Sequence, residues 1–453
     1  MNTSDPERPL AESAAYRDMV RFFVPLGLSS LLVTMSHTII NGTLARSSDP
    51  ETAIAGYAIA MSIFVITERP AVLLRQTCSV LVRDRLSFSA MSRMTALLLA
   101  CTIAVGLLLS WTPAGGWILR SWFHADAPVG AAALDSYRIL IFVTVFSAIR
   151  CLFHGIIIRE MRTAWLTIGM VIRLVIMYSL SLVFVHVLGW ADGRVGAVIF
   201  LVGMMVEAAV SMWEGRHVLR TLPDRSAHGS VSKMRDIFPF YRPLVLSSLL
   251  AVAIPPSVNA MLGKTADLTL AVASYALAMN ITNLVTSFFS YVHQIVLNFY
   301  ADNPRKVRRF CTAVNLVPPL LLAMLAWTPV GTWFMRTIMG VGGDLLSETR
   351  LVLNVCLLHA LAFPWVDYGN GLVMLRKRTR IMVRSQSGNV AVTLAVLTAC
   401  VALVPEWNGR IGALAISLGL LAELAVLAVS LRLIGTDRTT APAADRRAPS
   451  VTK

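Results

Sequence analysis

The sequence predicts an all-α membrane protein made of two parallel six-helix repeats around a central cavity. Three observations carry that prediction. The 453-residue chain is 56% hydrophobic and only 14% charged, with a mean hydropathy of +0.68. Soluble domains carry about 25% charged residues. Apolar runs of roughly 20 residues recur from end to end, each long enough to cross a hydrocarbon core about 30 Å thick. Finally, the first apolar segment, RFFVPLGLSSLLVTMSHTIINGTLAR at 21–46, returns as FPFYRPLVLSSLLAVAIPPSVNAMLGK at 238–264. Pro25-Leu26 falls on Pro243-Leu244, Ser29-Ser30-Leu31-Leu32 on Ser247-Ser248-Leu249-Leu250, and Asn41 on Asn259, all at one offset.

Twelve spans follow in order. Those of the first half lie near 20–40, 52–81, 94–111, 137–158, 164–189 and 195–214. Those of the second lie near 241–262, 267–299, 310–327, 351–374, 381–404 and 411–433. The repeat survives a full pass. Tyr57-Ala58-Ile59-Ala60-Met61 returns as Tyr275-Ala276-Leu277-Ala278-Met279, and Trp111-Thr112-Pro113 as Trp327-Thr328-Pro329. Arg194-Val195-Gly196-Ala197 falls on Arg410-Ile411-Gly412-Ala413, and Glu207 on Glu423. Six spans per copy is an even number, so both copies enter the membrane in the same orientation. They are then related by an axis along the membrane normal, with a substrate site expected between them.

The organisation expected is an N-tail over 1–19, a bundle over 20–214 and a linker over 215–239. A second bundle covers 240–434, and a disordered tail covers 435–453. The tail TTAPAADRRAPSVTK is low in apolar content. Most of the 40 lysines and arginines sit in the N-tail, the even-to-odd connections and the C-tail. Examples are Arg83-Asp84-Arg85, Arg305 to Arg309 and Arg376-Lys377-Arg378. The opposite connections hold few, among them Arg46, Arg120, Arg194, Lys264, Arg336 and Arg410. Both termini are therefore expected in the cytoplasm, in the cell (inner) membrane. The net charge of +15 reads as a topology signal toward anionic headgroups of the bilayer, not as a nucleic-acid footprint. No basic-then-apolar leader precedes the first span. The six cysteines are scattered singly, so no disulfide framework or metal site is expected.

Ionisable groups inside the membrane are costly and point to function by default. The second span carries Glu68-Arg69-Pro70 and then Arg75, and Pro70 is expected to bend it. Arg75, near the inner end, can snorkel. The fourth span holds Arg150 and His154, an i,i+4 pair on one face. Arg173 and Arg384 lie near basic ends and serve topology as readily as a site. The carboxylates are Glu68, Asp367, Glu207 and Glu423. The last two, by their symmetry, suit bonds within each half. Asp367 is expected either in the cavity or holding a cation. Spans one and seven, taken as the inner pair, offer His37 and Asn41, and Pro255-Pro256 with Asn259. Span eight adds Asn280, Asn283, His293, Gln294 and Asn298, read as a polar stripe toward a wet cavity. Deep arginines and histidines outnumber deep carboxylates, which favours anions, since the planar Arg fork suits phosphate and carboxylate.

With these residues in hand, the chain resembles the progressive ankylosis (ANK) family, within the flippase superfamily that includes the multidrug and toxin extrusion (MATE) transporters. The matching marks include Arg21-Phe22-Phe23-Val24-Pro25-Leu26-Gly27, Pro223-Asp224-Arg225-Ser226 and Val258-Asn259. Trp327-Thr328-Pro329, His154-Gly155 and Gly371 with Leu375-Arg376-Lys377-Arg378-Thr379 also fit. The resemblance implies V-shaped six-helix bundles, alternating access, and export of small polyanions such as pyrophosphate, citrate or ATP. MATE-like members couple to Na⁺ or H⁺ through a first-span acidic residue. This chain has His37 and Asn41 there, leaving histidine protonation as a substitute.

The leading expectation is thus a monomeric secondary transporter that exports an organic or phosphate-containing anion, needing no cofactor and coupled to H⁺ or Na⁺. Arg69, Arg150, His154 and Arg75 would form its cavity, with Asn41, Asn259, His293 and His37 as partners. Glu68 and Asp367 would serve coupling or charge pairing. A cation-coupled multidrug antiporter is the alternative and a lipid-linked-precursor flippase the third reading. An enzyme is not expected, because no G-x-x-x-x-G-K-[ST], H-E-x-x-H or G-x-S-x-G occurs.

Overall fold

A computed structural model describes residues 7–44, 46, 47, 49–121, 127–188, 193–226, 231–339 and 342–436. The expected C-tail beyond Thr436, residues 1–6 of the N-tail and 227–230 of the linker lie outside them. Among the described residues, twelve helical spans are long and apolar enough to cross a membrane. The chain is a multi-pass membrane protein. Helices are the natural solution, because each backbone N–H and C=O is then satisfied within its own segment.

The first half comprises α1 (Glu7–Leu44), α2 (Pro50–Leu81), α3 (Arg85–Trp111) and α4 (Pro113–Ser121). It continues with α5 (Ala127–Arg159), α6 (Ala164–Leu182) and α7 (Gly193–Thr221). The second half holds α8 (Phe238–Val252), α9 (Ile254–Leu262), α10 (Leu268–Ser287), α11 (Val292–Phe299) and α12 (Pro304–Asn315). It ends with α13 (Val317–Trp327), α14 (Pro329–Trp333), α15 (Gly343–Leu375), α16 (Arg380–Leu403) and α17 (Gly409–Thr436). Helix α1 thus begins well before the expected membrane entry at residue 20, and α7 runs past residue 214 into the linker.

The repeat is a repeat in space. Helix α5 packs on α2 and α7, and its counterpart α15 packs on α10, α11 and α17. The aspartates that cap the second and eighth spans are mates at an offset of 218, Asp49 accepting from the Thr52 amide and Asp267 from the Leu270 amide. Such caps satisfy amides that the first helical turn leaves open. Close crossings also recur. A Cβ on Gly155 would lie 2.4 Å from the Cys78 Cβ, and one on Gly371 would lie 2.9 Å from the Val296 Cβ.

The halves differ in continuity. Spans one, two and three are unbroken α-helices, and α2 continues through Pro70 as one helix. Spans seven, eight and nine are each split, into α8/α9, α10/α11 and α12/α13. Pro255-Pro256 and Pro318-Pro319 follow two of the breaks closely, as expected of residues that cannot donate to the preceding turn. The third, at 288–291, contains Phe288-Phe289-Ser290-Tyr291 and no proline.

Because spans alternate in direction, the starts of odd spans and the ends of even ones share a terminal face. The halves meet near that face. Two hydrophobic clusters there draw residues from both halves, joining Leu74 to Val373, and Phe22 to Val292. Three clusters toward the opposite face each belong to one half. The outcome is a V closed at the terminal face. Its seam is formed by α1 against α10, α11 and α12, and by α2 against α8, so spans two and eight join one and seven as inner elements.

Candidate functional site

Helix α2 presents two faces. Ala60, Phe64, Ala71, Leu74 and Cys78 are buried on one, whereas Ser62, Val65 and Ile66 are exposed on the other. Arg69 continues the exposed face, and seven positions further on Gln76 reaches His293 of the other half at 3.5 Å. Two helical turns separate Arg69 from Gln76, so both share the side that looks across the V. The Arg69 Nε is buried without an acceptor, and no carboxylate lies within ion-pair distance among the described residues. Next to it, the Pro70 carbonyl accepts from the Tyr241 hydroxyl at 2.7 Å. Glu68 accepts from the Ser147 hydroxyl on α5.

Below Arg69 lies a polar seam. Arg75 donates to the Tyr291 hydroxyl at 2.5 Å, and its guanidinium sits 4.8 Å from that ring's centre. His293 donates its backbone N–H to Asp367 at 2.8 Å, and its Nδ1 lies 2.9 and 3.0 Å from the carboxylate oxygens. That leaves Nε2 to accept from the Gln294 amide at 3.1 Å and from Gln76. At an offset of 218, Arg75 is the repeat mate of His293, and Gln76 that of Gln294. One pair of equivalent positions therefore meets its copy here. Ser30 and Ser290 add a hydroxyl contact of 3.0 Å between halves.

Arg150 and His154 are not in this cleft-facing group. Arg150 is buried and donates to Glu207 at 3.0 Å, while Arg173, 1% exposed, donates to the other carboxylate oxygen at 2.7 Å. Arg173 also reaches Ser36 at 3.4 Å and lies 5.0 Å from the Phe200 ring centre. The free cation expected at Arg150 is thus a member of a buried triad inside the first half. His154 is buried with Nε2 2.8 Å from the Ser211 hydroxyl. Two cations on one face are tolerated because the carboxylate lies against Arg150 and His154 faces a neutral hydroxyl.

The remaining expectations divide. Asn41 and Asn259 are both exposed, three residues before the ends of α1 and α9, at the rim of the V away from the seam. His37 is half-buried, its ring 5.5 Å from that of Phe200. The span-eight stripe is not one face, since the break at 288–291 separates exposed Asn280 and Asn283 from buried His293, Gln294 and Asn298. Arg384, exposed, lines a cavity of about 460 Å³ at the terminal face with Lys377, Arg378 and Arg380. That cavity is remote from Arg69 and its basic rim suits headgroups. Sequence reasoning did not reach Gln76, Tyr291 or Ser147, which carry no charge, and left the role of Arg173 open.

Outside the spans, Asp84 ties the connection after α2 to the linker. It accepts from the Ser226 amide at 2.8 Å and, as the cap of α3, from the Ser87 amide at 2.7 Å. Burial alone would raise its carboxyl, but these bonds, the Ser87 hydroxyl and Arg159 outweigh it and hold it below the usual value.

A sequence model of the progressive ankylosis protein (ANKH) family matches residues 8–253. No curated protein sequence matches the chain. Among solved structures, the chain is similar to an outward-facing multidrug resistance MATE family transporter of the MOP superfamily. The TM-score is 0.74 at 15% identity, covering 94% of this chain and 97% of that one. It is also similar to a MOP superfamily transporter from Pyrococcus furiosus, described as having a binding pocket of reverse polarity that suggests a different function. There the TM-score is 0.73 at 15% identity, with 94% and 97% covered. A Vibrio cholerae MATE transporter matches with a TM-score of 0.70 at 14% identity, covering 94% and 98%. These likenesses establish the fold.

Proposed function

The chain belongs to the progressive ankylosis protein (ANKH) family, and from that premise we propose that it is a secondary transporter exporting small organic or phosphate-containing anions by alternating access. The observation that carries the reading is Arg69, a half-buried guanidinium on the cleft face of α2 with a buried donor and no carboxylate in ion-pair reach. Glu68, next in the chain, acts on Arg69 through space without pairing with it. A part-buried charge with no paired acceptor is costly, and an anionic ligand would reduce that cost. Toward the cleft and seam the first half presents Arg69 and Arg75, whereas Arg150 and Arg173 are bound to Glu207 inside it. The transporter of reverse pocket polarity from Pyrococcus furiosus offers a precedent for changing cavity polarity on this scaffold.

By the Lys and Arg distribution the terminal face is cytoplasmic. A V closed there is then the outward-open state, ready to release exported substrate. The polar seam of Arg75, Tyr291, Gln76, His293 and Asp367 is its inner gate. A drug-cation antiporter would need an acidic cleft, whereas Glu68 and Asp367 both have donors bound.

Proteoliposomes loaded with labelled pyrophosphate, citrate or ATP, beside a cationic dye, test the proposal. Anion movement is expected, with Arg69→Gln lowering it at least tenfold and Arg69→Lys less, while thermal stability holds. Movement of the dye alone would sink the anion reading, and an unaffected Arg69→Gln variant would remove that residue from the site.

A further inference from the structure

Glu207 and Glu423 occupy equivalent repeat positions, yet their surroundings are chemically opposite. Each position around Glu207 has a mate at an offset of 216. Arg150 becomes Val366, Arg173 becomes Asn389 and His154 becomes Asn370. Every cationic or titratable neighbour of the first carboxylate is thus replaced by a neutral group around the second.

The Glu423 side chain, in α17 and 5% exposed, accepts from the Asn389 amide at 2.7 Å. Gln386 faces both carboxylate oxygens at 3.2 Å, and its amide can present either end to them. The NH₂ end suits a carboxylate and the C=O end suits a carboxylic acid. Asn370 lies within hydrogen-bonding reach, and its buried carbonyl oxygen has no donor. A proton on Glu423 would furnish one. From α15 the facing group is Asn370, and from α16 they are Gln386 and Asn389. Helices α9 and α10, also packed on α17, bring no charged group to it. On α15, Asp367 is bound to His293, and His359, its Nδ1 buried, lies 11 positions, three turns, before Asn370. Arg384, near the start of α16, is exposed at the terminal face. Among the described residues no Lys, Arg or His lies within ion-pair distance of Glu423. An anion buried without a cation is costly, whereas a neutral acid among amides is satisfied.

We propose that Glu423 is a reversible protonation site that couples proton movement to opening and closing of the V, a role that rests on the transport reading above. In the acid state an O–H bond forms between a carboxylate oxygen and a proton delivered from water, with no other bond broken. Release of the proton leaves a buried anion that disfavours the surrounding packing. The link to the seam is short. Asn370 and Asp367 are i,i+3 neighbours on α15, and Asp367 holds His293 at the contact between halves. A change of charge at Glu423 therefore acts two residues in space from the gate.

Infrared difference spectroscopy of the full-length protein in liposomes, titrated over pH, reads the site directly. A protonated-carboxyl C=O band that titrates in the wild type and vanishes in Glu423→Gln is expected. The same band should vanish in Asn389→Arg, which restores the counter-ion of the first half and keeps the carboxyl. Transport is the second readout. Glu423→Gln should lose at least tenfold of pH-gradient-driven flux, keep substrate counterflow, and be partly rescued as Glu423→Asp. No such band in the wild type, or full pH-driven flux in Glu423→Gln, overturns the proposal. So does flux driven by a Na⁺ gradient alone that is lost in Glu423→Gln, which would make the site one for Na⁺. If the wild type moves no anion, the transport reading fails, while the band still decides whether Glu423 titrates.

Discussion

The two halves of this protein share a backbone plan and manage charge in opposite ways. In the first, Glu207 is clamped by Arg150 and Arg173, and spans one, two and three run unbroken. In the second, Glu423 sits among amides, and spans seven, eight and nine are each interrupted. The first half keeps Arg150 and Arg173 bound to Glu207 inside it and turns Arg69 toward the cleft. The second is jointed and holds Glu423 without an arginine, its Glu348–Arg410 pair lying elsewhere. The two copies share one architecture and differ at a few positions, and on the proposed function one copy would meet the anion while the other changes shape. Discontinuous helices near a midplane site are a recurring arrangement in transporters.

The comparison can be broken by mutation. Glu207→Ala strands two buried guanidinium groups and is expected to cost about 3–5 kcal/mol, whereas Glu423→Gln should cost about 1 kcal/mol or less. Thermal unfolding of both in one detergent measures the contrast, and equal losses would mean that the two carboxylates do the same job. Asp367→Asn weakens charge-assisted bonds to His293 by about 1.5–3 kcal/mol and should shift the V toward opening at the terminal face. Spin-label distances between α2 and α11 would lengthen there, and unchanged distances would show that apolar packing alone closes the seam.

The smallest effect belongs to the connection outside the membrane. Asp84→Asn keeps one acceptor oxygen for the cap of α3 but loses the charge and the second oxygen that accepts from Ser226, at about 1 kcal/mol. Because the folded carboxyl is held below its unfolded value of 3.8, its contribution is present above about pH 4 and is lost as pH falls through the lower folded value. Unfolding midpoints followed from pH 6 down to pH 3 should therefore converge for wild type and variant. A gap that persists in acid would contradict this.

The fold was legible because its signals are coarse. Twelve apolar runs and a repeat down to Asn41 and Asn259 need no knowledge of facing direction. The candidate site was legible as an inventory of intramembrane charges, but not as an arrangement. Arg150 and Glu207 lie 57 positions apart, and Arg173 and Glu207 lie 34 apart, distances over which periodicity says nothing about contact. For that reason Arg150 read as a cavity residue and Arg173 as an ambiguous one. The breaks at Pro255-Pro256 and Pro318-Pro319 have a local cause, whereas 288–291 holds no proline and lies against α1. Proline alone does not decide a break, since α2 stays one helix through Pro70, whose own carbonyl accepts from Tyr241.

Gly27 lets α1 lie against that broken segment, since a Cβ added there would sit 2.6 Å from the Phe288 carbonyl oxygen. The two states of an alternating machine differ by only a few kcal/mol, and an overpacked contact costs about 1–3 kcal/mol. A single methyl at this position is therefore a doorstop. It wedges the terminal face apart and inverts which state dominates, without touching any charge, hydrogen bond or ligand. On the proposed alternating access, the resting orientation would then depend on the absence of one carbon atom as well as on the polar groups that meet beside it.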